Sequence, residues 1–154
     1  MANQALFWSE MKFMPGIAIQ RFHRLDPTQR RLLVRAAAVL SAASAAVALL
    51  AFPRAIRFGS VALGPKRDDR TATEWVWAVE TVAHRLPWRT MCIEKGLAVQ
   101  RLLRRSGMNA VLHYGARHEP ETGKLQAHVW VSVGGKTVIG GEEAAGYGEI
   151  ATFA

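Results

Sequence analysis

At Gly107 the spacing of apolar residues changes period, and no other feature limits the possible folds as much. Before it, apolar residues recur with the period of amphipathic helices; from Ala110 onward they alternate as in half-buried strands. Helices come first and a small antiparallel sheet follows. That order argues for an α+β fold rather than alternating βαβ units.

Local signals bound the segments. In "LDPTQRR", Asp26 can cap a helix, Pro27 suits its first position and Gln29 completes a capping box. This helix is expected to reach about Phe52, because Pro53 ends it. Residues 1–25 read as a short amphipathic helix broken at Pro15-Gly16, followed by a basic stretch. Residues 59–70, with Gly64-Pro65 and a charge run, read as a linker. The next helix starts at Thr71, with Glu74 in capping-box position, and carries the stripe Trp75, Val79, Val82 and Leu86. A further helix is expected over residues 90–106, ended by Gly107. Strands follow over residues 110–116, 125–133 and 136–140, the last two joined by a Gly134-Gly135 hairpin turn. The expected division is a helical extension over 1–64 and a folded core over 65–154.

Composition narrows the partners. The chain is 50% hydrophobic and 21% charged, as a globular protein is, and its net charge of +8 suits acidic partners such as an acidic peptide or phospholipid headgroups. Nucleic acid is not expected: the basic residues are spread along the chain without a zinc spacing, helix-turn-helix or aromatic RNA-binding signature. Residues 36–53 carry no charge. They read either as a membrane-inserted helix or as a packed helix rich in small residues, and their Ala and Ser content favours packing. The residues around Glu10 and Lys12 lack a signal-peptide layout, and a single cysteine fits a reducing, cytoplasmic compartment. That one cysteine also excludes an internal disulfide and a multi-cysteine metal site; neither metal nor organic cofactor is expected.

Cys92 falls in the first turn of the helix expected over 90–106. It shares a stripe with Gly96, Val99 and Leu103, opposite Glu94, Arg101 and Arg105. An inward cysteine there can be a small buried hydrophobe. It can also be a nucleophile, because free backbone N–H groups and the helix dipole stabilise a thiolate. Gly96 costs helix stability, which points to another element packed closely against it. A nucleophile needs a base, usually histidine. His23, His84, His113 and His118 read as structural or surface residues. His128, in "AHVWV", shares a strand face with Trp130 and Ser132, while Val129, Val131 and Val133 face the other way. Spacing alone leaves open both a Cys-His dyad and a hydrogen-bonded structural histidine.

The strings "LPWRTMCIEKGLAVQRLLRRSGMNAVLHYGA" and "AHVWVSVGGKTVIGG" resemble the lasso peptide biosynthesis B2 proteins, transglutaminase-like cysteine peptidases that remove a leader from a ribosomal precursor peptide. The resemblance is close over residues 86–153 and looser over the "RRLLVRAAAVL" helix. It implies a transglutaminase-like, papain-like core in which a nucleophile helix packs on a small antiparallel sheet. It also implies Cys92 as nucleophile, His128 as base and an acidic third member. Here the pattern departs, since the only aspartates are Asp26, Asp68 and Asp69. The hairpin register brings His128 opposite Gly141, so Glu142 is the expected third member and Glu143 the alternative; a backbone carbonyl could orient the ring in place of either. The implied partners are the leader–core precursor, an ATP-dependent lasso cyclase and a separate precursor-recognition protein, because no three-stranded sheet is read before Thr71. Without an aspartate, a non-catalytic scaffold that binds peptide or pathway partners is the other outcome.

Overall fold

The structure, a computed structural model, describes residues 25–65, 71–119 and 122–154. The amphipathic helix expected over 1–25 lies almost wholly outside them. Contacts divide the chain into two units at Arg31, and each contact between elements described below lies within the second, Leu32–Ala154.

The elements are α1 (Pro27–Leu49), α2 (Phe52–Ile56), α3 (Ala72–Ala83), α4 (Cys92–Arg105), β1 (Ala110–His118), β2 (Leu125–Val133), β3 (Lys136–Ile139), α5 (Gly141–Ala144) and β4 (Gly148–Phe153). The fold is α+β, with one four-stranded antiparallel sheet in the order β3-β2-β1-β4. β4 was not expected from the sequence; it pairs with β1 on the side away from β2.

Asp26 caps α1 by accepting from the Thr28 N–H, at 3.2 Å. The helix stops at Leu49, short of the expected Phe52. Pro53 then sits in the first turn of α2, where a missing N–H costs nothing. Proline thus opens a helix here as well as closing one. α1 is long and apolar enough to cross a membrane. Its row of Leu32, Leu33, Ala36, Leu40, Ala43 and Ala46 is nevertheless buried within the unit, as a packing helix requires. Ser44 on the same helix accepts from the Trp88 indole N–H, tying α1 to the loop that leads into Cys92.

α4 is the central element. It packs on α3, β1 and β2, and Leu97, Ala98, Val99, Gln100 and Leu103 are fully buried. A Cβ on Gly96 would come within 2.7 Å of Val129 Cγ1, so the missing side chain is what lets α4 lie against β2. The end of α4 is a Schellman motif: Met108 N–H bonds Leu103 O, Gly107 N–H bonds Arg104 O, and Gly107 takes φ +80°. α3 begins with the Thr71–Glu74 capping box, and Lys95 of α4 pairs with Glu80 of α3 at 3.1 Å. Trp75 is buried as the stripe requires, whereas Trp77 is exposed.

The expected linker is no free tether over its described part. Arg101 donates to Phe58 O and Arg104 to Val61 O, both at 2.6 Å, and Gly64 N–H bonds Arg104 O. Burial, with Arg105 adding in the same direction, lowers the pKa of Arg101. Its guanidinium also stacks 4.4 Å over Phe58. Gly64, the last residue of the expected helical extension, is thus bonded to α4.

Candidate active site

Cys92 is the first residue of α4, with Met91 at the N-cap. The Glu94 carboxylate turns back to accept from Met91 N–H. Glu94 is therefore buried, not on the solvated side that the helical wheel suggests. Among the described residues the Cys92 N–H has no hydrogen-bond partner, as expected at the start of a helix. The thiol is partly buried and likewise has no hydrogen bond among them.

β2 carries His128 on the face that also holds Trp130 and Ser132, away from the face that meets Gly96. His128 is 6% exposed, so its ring nitrogens need partners. Nε2 lies 2.9 Å from Gly140 O. A carbonyl can only accept, so Nε2 carries a proton and, in the neutral ring, Nδ1 is the basic nitrogen. Nδ1 lies 3.5 Å from Glu143 Oε2.

This geometry replaces the expected hairpin register. Val133 pairs with Lys136 as the two-residue turn requires, but a bulge between Val131 and Ser132 shifts the pairing by one residue. The chain then leaves the sheet at Gly140, which has φ +76°. A Cβ there would meet Val129 O at 2.6 Å, so glycine is needed for both conformation and space. Hence His128 meets the Gly140 carbonyl rather than Gly141. The short helix α5 also turns Glu142 and Glu143 in different directions, and Glu143 is the one that reaches the imidazole.

Rings pack around His128. Trp130 stacks on His128 with centroids 6.2 Å apart, and Tyr147 lies against it at 5.1 Å. Arg117 sits 4.5 Å over Tyr147. Sequence reasoning missed Gly140, Tyr147 and Arg117. A carbonyl leaves no mark in residue identity, and Tyr147 arrives only through the unexpected turn from α5 to β4. Of the residues singled out in the sequence, the structure joins His128 to Glu143 and Trp130. No hydrogen bond connects Cys92 to His128 among the described residues. Nor do the described residues hold a cluster of three or more side chains able to ligate a metal ion.

A helix that begins at cysteine, packed on an antiparallel sheet with histidine on the strand it meets, defines the class of a papain-like α+β core. The chain belongs to the transglutaminase-like superfamily, whose family model matches residues 33–152. That match takes in α1 as well as the sheet. The superfamily includes cysteine peptidase-like members and commonly uses cysteine-based catalysis. No curated protein and no solved structure matches the chain.

Proposed function

We propose that the chain is a cytoplasmic cysteine peptidase that hydrolyses the bond between leader and core in a ribosomally made lasso precursor. One observation carries the reading: a lone cysteine begins the central helix with its N–H unpartnered among the described residues, and that helix packs on the strand holding a pinned histidine. The Gly140 carbonyl holds Nε2–H, the orienting task that the resemblance gives to an acid, and leaves Nδ1 to act as base.

The steps follow from these groups. The thiol proton passes to His128 Nδ1, and Sγ attacks the scissile carbonyl. The Cys92 N–H, without a partner among the described residues, would donate to the resulting oxyanion. Protonated His128 then gives its proton to the leaving amine of the core, and a water activated by Nδ1 hydrolyses the thioester to free the leader. Nδ1 faces Glu143 in the structure, so the first transfer requires the ring and the start of α4 to approach each other. The freed core amine would pass to an ATP-dependent cyclase, and a separate recognition protein would present the leader. The net charge of +8 supports contact with an acidic leader or partner.

A second reading, a non-catalytic scaffold that binds the precursor, draws on the lack of a hydrogen bond between Cys92 and His128. It also draws on the placement of His128 on the sheet face away from Gly96. Cleavage of the cognate precursor with the recognition protein present separates the two. Cys92→Ala and His128→Ala should each abolish cleavage; a wild-type rate in either favours the scaffold.

A further inference from the structure

The ring stack beside His128 continues to a second histidine that the steps above do not use. His113 on β1 stands directly across from Trp130 on β2. Its Nδ1 lies 2.6 Å from Glu149 Oε2 and its Nε2 lies 2.7 Å from Ser132 Oγ, so both nitrogens are held. The ring lies flat against Trp130, with centroids 5.4 Å apart and planes 2° apart. Trp130 is in turn within 19° of the His128 plane. Gly115, across from His128, leaves room for this arrangement: a Cβ there would come within 2.8 Å of the indole.

Serine, imidazole and carboxylate in this order also resemble a hydrolase relay. Ser132 is unsuited to attack, however. It lies in the interior of β2, 8% exposed and paired with Val111 on one side and Thr137 on the other. The backbone around it belongs to the ladder rather than to an oxyanion site.

The network has a different physical use. The bond from Nε2 to Gly140 O holds one nitrogen of His128, and the plane of its ring is set by the groups against it: Trp130, Tyr147 and, at Nδ1, Glu143. A flat neighbour that cannot itself turn restricts that plane further, and offset ring contacts at about 4.5–7 Å are attractive. We infer that His113, clamped by Glu149 and Ser132, is a positioning residue that fixes the plane of His128 through Trp130. As a role in catalysis this rests on the peptidase reading above.

The test uses the full chain with 15N-labelled histidine and long-range proton–nitrogen NMR, beside precursor cleavage kinetics. In the wild type, His128 should show one tautomer, protonated at Nε2. His113→Ala and Glu149→Ala should each give an averaged tautomer pattern at His128. Each should also lower kcat about 10- to 100-fold while KM stays within about twofold, as misorientation of a base predicts. Glu149→Gln keeps an acceptor for Nδ1–H and should recover most of what Glu149→Ala loses. Glu149 is 48% exposed, so its variants decide the matter even where His113→Ala does not fold. An unchanged His128 pattern and unchanged kcat in Glu149→Ala would overturn the inference. Wild-type cleavage by Cys92→Ala would instead sink the peptidase reading, and the NMR response would still decide whether His113 orients the ring.

Discussion

The two faces of β2 are both buried, yet they are built on different principles. Val129 and Val131 share the face that meets α4, where Val129 and Leu112 close on Gly96 in an aliphatic contact. His128, Trp130 and Ser132 face the other way, and the imidazole and hydroxyl there are partnered: His128 by Gly140 and Glu143, Ser132 by His113. Burial of an unpartnered polar group costs about 1–3 kcal/mol in proteins, so a row like this persists only when its members hold one another. The aliphatic face carries the stability of the unit. The polar face uses its bonds to fix ring orientations.

Substitutions can break that division, and the largest effect belongs to the aliphatic side. Leu103→Ala, in the fully buried row of α4, should cost about 2–5 kcal/mol in urea denaturation. A cost below that of a surface change would mean that α4 is not the keystone of the core. Next comes Gly140→Ala on the polar side. It should lose about 1–3 kcal/mol from its positive φ and from contact with Val129 O. The displaced carbonyl should also free Nε2 of His128, visible as a changed imidazole tautomer by NMR. A stable variant with an unaltered His128 would remove Gly140 as the orienting group. The smallest effect is expected for Glu143→Gln: a carboxylate 72% exposed and 3.5 Å from Nδ1 contributes at most about 1 kcal/mol. Cleavage rates within a few-fold of wild type would fit; a loss comparable to that of His128→Ala would make Glu143 the essential acid.

What could be read from the sequence follows the same line between local and distant causes. Thr71 with Glu74, Gly107 after α4 and Gly134-Gly135 between strands act within a few residues, and each marks its boundary in the structure. The α+β class followed from the change of period. β4 was not legible, because it forms only by pairing with β1, which lies far earlier in the chain, on the other side of the hairpin. The stretch over 59–65 reads as a tether because the groups that hold it, the Arg104 guanidinium and carbonyl, belong to α4. That Glu143 rather than Glu142 lies near the imidazole follows from α5, too short to leave a periodic pattern. Nothing in "VLHYG" tells that Trp130, Ser132 and Glu149 will converge on His113.

That Cys92 and His128 act as a pair, although the structure presents them without a hydrogen bond between them, is tested most directly by alkylation. The measurement is the rate at which iodoacetamide modifies Cys92 near neutral pH, in the wild type and in His128→Ala. Because the thiolate is the reacting form, loss of the base should slow alkylation about tenfold or more. Equal rates in the two proteins would contradict the pairing and leave Cys92 a residue of the core.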